Sequence, residues 1–355
     1  MLDIIVAILV FGFIVLVHEF GHFLFAKLNG ITVVEFSIGM GPRLFSVVWR
    51  DTRYSIKILP FGGSCMMLGE DGEEKEPGAF TSKPVLARIA VIAAGPVFNF
   101  ILAFLFAMVL VGQMGHSGSV LSDVVEGSPA YEAGLMPGDK IVRINNRSVT
   151  TNRDVSWYMI SHPGEEVTLK IKRPEGGVWE KGVSARTLTL RLKPEFNQEY
   201  GSYMIGVKFP LEEKNASLAD LVYYSAYEVK FCVVSTFDSL RMLFTRQIQA
   251  GEAMAGPIRI VSMVSETVET GREAGAKVLI LYISNWILLL STSLGIMNLL
   301  PIPALDGGRL VFLFLELLRG KPIDPEKEGM VHMAGMMVLM ALMVMILFND
   351  IRNLI

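Results

Sequence analysis

His18-Glu-Phe-Gly-His22 is the string in this sequence with the plainest chemistry. On a helix, residues four apart lie about 40° apart around the axis, so both imidazoles face one way. Two imidazoles at that spacing can grip one zinc ion. Glu19 falls roughly 60° from His22 on the same side. Its carboxylate can reach a water held by the metal without binding the metal itself. Zinc lowers the pKa of such a water toward ~7, and a glutamate so placed takes the proton. The string predicts one catalytic Zn2+ and a general base.

A catalytic zinc needs a third protein ligand and one open position. The remaining histidines are His116, His162 and His332. Asp306 is the stronger candidate, within Asn298-Leu-Leu-Pro-Ile-Pro-Ala-Leu-Asp-Gly-Gly308, and His332 is its rival. Pro301 and Pro303 break a helix there, and Gly307-Gly308 let backbone approach closely.

The elements that must position these residues are apolar. The chain has 355 residues, 52% hydrophobic and only 19% charged. A soluble domain carries about 25% charge, so a membrane protein is expected. A net charge of -3 and the lack of a basic tract argue against nucleic acid. Cys65 and Cys232 stand in no metal-like spacing and read as two unpaired thiols. Four runs are long enough to span a bilayer: Ile4 to Ala26, Val85 to Gly112, Val278 to Leu300 and Val331 to Phe348. The first is not read as a signal peptide, because no basic flank precedes it and it holds the HExxH string. Lys and Arg crowd the loops between the first two spans (Lys27, Arg43, Lys75 and Lys83 among them) and between the last two. Those loops should face the cytoplasm, with both termini and the segment between spans two and three outside.

That outer segment, 117–209, reads as a soluble β-rich α+β domain. Val167 to Lys172 and Thr187 to Leu192 alternate as half-buried strands do, with a turn at Pro174 to Gly177. Ser128-Pro129 suits a helix start and Gly134 its end. The string from Gly127 to Asn145 resembles a PDZ domain of the bacterial protease-associated type, in a single copy. From Ser217 to about Gln249 an apolar pattern continues with scattered charge. It fits an amphipathic helix on the membrane surface, or a helix packed on the β-rich domain. The expected division is 1–116 for spans one and two with HExxH and a cytoplasmic β-hairpin, 117–209 for the PDZ domain, 210–275 for amphipathic linker helices, and 276–355 for spans three and four.

Arg53 to Leu59 alternates, and Phe61-Gly62-Gly63 follows. This predicts a hairpin dipping toward the membrane, whose edge can pair with an extended substrate. Gly95 and Asn99 of span two are candidates to line the substrate path, and Gly95-Pro96 equally suits close helix packing.

Taken together, HEFGH in the first span, Asn298 to Gly308 after the third and one outer PDZ domain resemble the bacterial site-2 proteases, in the regulator of sigma-E protease branch. The likeness also takes in Ser37 to Phe45, Phe61 to Gly63, Ala94 to Asn99 and Gly256 to Ile258. The resemblance implies a polytopic inner-membrane zinc metalloendopeptidase that cuts single-span membrane proteins, such as trimmed anti-sigma factors or remnant signal peptides. It implies His18, His22 and Asp306 as zinc ligands, Glu19 as catalytic acid/base and Asn298 as a holder of substrate backbone. Its PDZ domain is expected to act as a sieve or to bind a peptide. The well-studied Gram-negative members carry two PDZ domains, and this chain has room for one.

Three other readings stay open on the residues. A cation transporter lined by the same side chains needs neither HExxH spacing nor a PDZ domain. A PDZ scaffold with structural zinc needs a fourth protein ligand. A membrane protease cutting soluble loops would take Glu35 or Glu70 as third ligand.

Overall fold

The structure is a computed structural model. It describes residues 2–70, 76–177, 179, 182–210, 217–245 and 256–354. Lys75, parts of the expected linker and the side chain of Phe61 lie outside what is described. In chain order the helices are α1 (Leu2–Leu28), α2 (Val85–Met114), α3 (Pro129–Glu132), α4 (Asn152–Ser161), α5 (Leu218–Phe244), α6 (Pro257–Ala274), α7 (Ala276–Leu299), α8 (Asp306–Arg319) and α9 (Pro325–Leu354). The strands are β1 (Val33–Trp49), β2 (Thr52–Met67), β3 (Asp123–Val124), β4 (Lys140–Ile144), β5 (Arg147–Ser148), β6 (Val167–Pro174), β7 (Ala185–Leu192), β8 (Glu195–Asn197), β9 (Ser202–Met204) and β10 (Val207–Lys208). The chain divides into two compact units. One is Met1–Leu110 with Glu228–Val233 and Ile248–Ile355; the other is Val111–Tyr227 with Val234–Gln247.

In the first unit, each of the four expected runs forms one helix long and apolar enough to cross a membrane: α1, α2, α7 and α9. Ile14 is 1% exposed and packs with Val10, Leu102 and Ile287, which joins α1, α2 and α7. Small residues bring α1 and α2 together. A Cβ at Gly21 would lie 2.5 Å from the Ala94 carbonyl oxygen, so only glycine permits that approach. The amphipathic α6 lays Val264 and Val268 against Ala7, and its Arg272 reaches Asp3 at 3.3 Å. α9 differs from the other spans, since nothing in its most apolar stretch is buried.

Between α1 and α2 runs the expected hairpin, longer than the alternation at Arg53 to Leu59 suggested. Its centre is paired on both sides: Phe36, Ser37 and Ile38 meet Cys65, Ser64 and Gly63 on one flank and Tyr54, Ser55 and Ile56 on the other. Glu35 is buried within it. The Arg43 guanidinium donates twice to its carboxylate, at 2.7 and 2.9 Å, and the Ser55 hydroxyl donates at 2.6 Å. The Arg43 hydrogen bonds, against the opposing effect of burial, hold the Glu35 pKa down at about 2. Beyond this lock the hairpin turns apolar side chains outward, with Phe45, Val47, Val48 and Trp49 all more than half exposed.

The second unit contains a four-stranded sheet in the order β5-β4-β6-β7, with β10 on β3 and β8 on β9. β6 and β7 pair in unbroken register from Val167↔Leu192 to Pro174↔Ala185. Ile141, Ile144, Val167, Leu169 and Ile171 are fully buried in one apolar core with Val155 and Met159 of α4. Ser128 caps α3 by accepting from the Tyr131 amide, and Gly134 ends it at φ +81°. Within this unit, Asp238 of α5 accepts from Arg147 and from the Trp157 indole, and the Tyr227 hydroxyl donates to Asp154 at 3.0 Å.

Candidate metal centre

His18 and His22 lie one turn apart on α1 and are 7% and 6% exposed. Asp306 is the first residue of α8, just past the Pro-rich turn that follows α7. The fold brings the three together. His18 Nε2 lies 3.2 Å from Asp306 Oδ2, His22 Nε2 lies 3.4 Å from the same oxygen, and the two nitrogens are 3.2 Å apart. Ligand atoms around a tetrahedral zinc, at bond lengths of ~2.0–2.1 Å, stand about 3.3 Å from each other. The three separations match that edge. The Nδ1 of His22 faces the Val91 carbonyl oxygen at 2.9 Å, so Nδ1 carries the hydrogen and Nε2 offers its lone pair inward. Asp306 Oδ2 is buried with no hydrogen-bond partner, as an atom meant for a cation would be. Two imidazoles and one carboxylate form a known catalytic zinc set, and the residues present fit the ion. Among the described residues no other trio of His, Cys, Asp or Glu converges this way.

The other candidate ligands are elsewhere. His332 Nδ1 accepts the Ala304 amide at 2.9 Å. His116 stacks on Tyr224 and His162 on Tyr158 in the second unit. Glu35 is taken by Arg43, and Glu70 pairs with Arg309. Cys65 is a free buried thiol; burial, and then the charges of Glu19 and Glu70, push its pKa far up, so the sulfur stays neutral.

Backbone approaches frame the trio. A Cβ at Gly95 would sit 2.3 Å from His22 Nε2 and 2.8 Å from His18 Cε1. The α2 backbone is therefore pressed onto both rings. Asn99 is fully buried; its side-chain amide lies 3.1 Å from His18 Nδ1, and its backbone carbonyl accepts from Ser291 of α7 at 2.9 Å. Asn298 near the end of α7 brings its amide within 3.4 Å of His18 Nε2. Glu19 turns to the hairpin, where the Cys65 amide hydrogen-bonds its carboxylate. A Cβ at Gly63 would lie 3.1 Å from Glu19 Cγ, and Gly62 has φ +85°. The Phe61 backbone continues this edge.

The turn before Asp306 is tight. A Cβ at Gly307 would lie 2.1 Å from the Leu300 oxygen, and one at Gly308 2.5 Å from the Ile302 oxygen. Ala304 is held at φ +77°, a conformation L-residues avoid. His332 anchors its amide, and Gly335 of α9 admits Pro303 at a distance no side chain would allow. Sequence reasoning missed these supports: the Val91 carbonyl, the Cys65 amide, the His332 anchor and α8 itself. α8 had a signal in Asp306 at its start and Gly320 at its end, and its Glu316 pairs with Arg88 of α2 at 2.5 Å. The two carbonyl and amide partners had none, since every residue carries those groups.

Comparison with known proteins agrees along the whole chain. Residues 6–342 match the model of Peptidase family M50. A chain from Clostridium acetobutylicum provisionally named a zinc metalloprotease is 36% identical over 350 residues, covering 98% of this chain and 97% of its own. Zinc metalloprotease RasP of Shouchella clausii is 32% identical, covering 98% of each chain. The regulator of sigma-W protease RasP of Bacillus subtilis is 30% identical, covering 98% of this chain and 97% of its own. With four membrane-length helices and an HExxH string inside the first, the chain belongs to peptidase family M50, the site-2 proteases, and is an intramembrane zinc metalloprotease.

Proposed function

We propose that His18, His22 and Asp306 hold the catalytic zinc and that Glu19 is the acid/base of peptide hydrolysis within the membrane. The observation that carries this is the 3.2–3.4 Å triangle of ligand atoms, with Glu19 one residue from its first corner. Zinc in that place would acidify a water and polarise the scissile carbonyl. Glu19 then takes a proton from the attacking water and returns it to the leaving nitrogen. The Cys65 amide holds the carboxylate toward the hairpin side. Asn298 is suited to bind a substrate carbonyl beside the centre, on a turn shaped by Pro301 and Pro303.

A peptide bond in a helix is shielded by its own hydrogen bonds, so the substrate must unwind. The hairpin edge at Phe61-Gly62-Gly63 is the place proposed to receive it by strand addition. The absence of a Cβ at Gly63 lets that edge lie against Glu19. Outward apolar residues from Phe45 to Trp49 suit a hairpin immersed in lipid. Substrates are single-span membrane proteins, trimmed anti-sigma factors or remnant signal peptides. The Bacillus subtilis relative named for regulating sigma-W favours the first of these. The β-rich unit is proposed as one PDZ domain outside the cytoplasm that sieves substrates by size or binds an extended peptide. Both termini lie on that side, in a bacterial inner membrane.

The test is zinc content and cleavage of a model span by purified variants. Glu19→Gln should keep zinc and lose cleavage. Asp306→Ala should lose both, and His332→Ala should keep most of its metal. A metal-free His332→Ala beside a loaded Asp306→Ala would move the third ligand. Turnover of Glu19→Gln above a few per cent would remove Glu19 from its role.

A further inference from the structure

His22 has its tautomer set by a group that can only accept, the Val91 carbonyl. His18 faces the same centre through Nε2 and needs the same arrangement: a hydrogen on Nδ1 and a lone pair on Nε2. The group opposite its Nδ1 is the Asn99 side-chain amide at 3.1 Å, with the nitrogen placed nearest the ring. In that orientation the amide donates to Nδ1 and forces the hydrogen onto Nε2, where it points at Asp306 and His22. The same orientation leaves Asn99 Oδ1 buried with no hydrogen-bond partner, on a residue with no exposed surface. The two ends of an amide are nearly isosteric, and the hydrogen-bond network decides between them. Rotation by half a turn gives His18 Nδ1–H its acceptor and moves the nitrogen to the position where the oxygen finds no donor.

We propose that Asn99 is a positioning residue: its Oδ1 accepts from His18 Nδ1–H and so fixes the tautomer that turns Nε2 toward the metal. The inference rests on the reading of His18, His22 and Asp306 as the zinc ligands. It gives Asn99 a different task from lining a substrate path. Two contacts hold the amide in place. Gly95 lets α2 lie against the rings one turn earlier, and Ser291 of α7 ties the Asn99 backbone. The two rings are then matched, one oriented by a main-chain carbonyl and the other by a side-chain carbonyl.

The experiment measures zinc affinity of the full chain in detergent, by competition with a chromophoric chelator, for Asn99→Leu and Asn99→Asp. Leucine has the same branched shape, is somewhat bulkier and has no acceptor, and should weaken zinc about 10- to 100-fold, the usual effect of removing such a partner. A carboxylate can only accept, so Asn99→Asp should hold zinc within a few-fold of the parent. Equal loss in both variants means the amide acts as a donor and overturns the proposal, and unchanged affinity in Asn99→Leu overturns it as well. A measurement without variants of Asn99 guards against misfolding. In the zinc-free parent with 15N-labelled histidine, the His18 ring should carry its hydrogen on Nδ1, and a hydrogen on Nε2 would overturn the proposal. Asp306→Ala serves as the control. If it retains zinc, the ligand reading has failed; if it loses zinc while Asn99→Leu does not, only the role of Asn99 has.

Discussion

The two units bury polar groups for opposite ends. In the β-rich unit the interior is apolar, and the buried charge is neutralised on the spot: Asp139, with no exposed surface, receives two bonds from Arg173 and the Met136 amide. In the helical unit the interior holds two imidazoles and a carboxylate oxygen that has no hydrogen-bond partner. The first arrangement is neutralised by its own neighbours, and the second has the donor set and spacing that suit a cation. A fold can afford such a deficit where neighbouring backbone is packed too closely for the groups to turn away, and here glycine supplies that closeness.

The sharpest way to break this comparison is to add one methyl group in each unit. Gly95→Ala should lower zinc affinity by about 100-fold and abolish cleavage, since the new Cβ would sit 2.3 Å from His22 Nε2, a proposed ligand atom. Gly118→Ala in the β-rich unit meets nothing within 4 Å and should shift stability by no more than ~0.5 kcal/mol. Zinc titration and thermal unfolding of both proteins check this, and a zinc-loaded Gly95→Ala would mean the rings have room to move.

Next in size is the core of the β-rich unit. Leu169→Ala removes a side chain with no exposed surface and should destabilise that unit by about 2–5 kcal/mol. Hydrogen exchange should rise across β4, β6 and β7, with zinc content unchanged because no ligand lies there. Loss of metal in this variant would show that the centre depends on the second unit for its assembly.

The smallest effect is one of pH. Glu35 has its pKa lowered from 4.5 to about 2, so its folded state binds fewer protons than the unfolded chain. The hairpin lock is therefore at full strength above pH 4.5 and fades as the pH falls toward 2. Amide exchange at Ser55 should be flat from neutral pH down to about 4.5, once the intrinsic rate is corrected, and then rise. Arg43→Gln should shrink that rise, because without the guanidinium the folded pKa of Glu35 moves back toward 4.5 and the pH window closes. A hairpin indifferent to both would show that lipid-facing packing, not the ion pair, holds it.

The sequence announced what repeats or is rare. Four apolar runs named four helices, and HExxH named a metal, because few chains place two histidines and a glutamate inside a span. The strands β6 and β7 were legible from strict alternation, and α3 from its Ser-Pro start and Gly134. The hairpin was half legible. Its second strand alternates, but its first passes through glycines and a proline and pairs on two flanks at once, which no period-two pattern encodes. Asp306 stood out only because proline and glycine surround it, and nothing local joined it to a helix 280 positions away. Asn99 read as a candidate to line the substrate path, since its partner is a ring nitrogen that only folding supplies.

α9 supports the turn before Asp306 from outside the trio. This last helix contributes no side chain to the trio, yet its His332 anchors Ala304 and its Gly335 receives Pro303. Further along, Asp350 accepts from the amides of Gly256 and Arg259 at the start of α6. A nascent chain made as far as α8 already contains His18, Glu19, His22 and Asp306. It lacks the brace that holds an alanine in a left-handed turn two residues before the carboxylate. The support of the turn is therefore separable from the trio: a chain cut before α9 keeps all four residues and loses the contacts that brace Ala304 and Pro303.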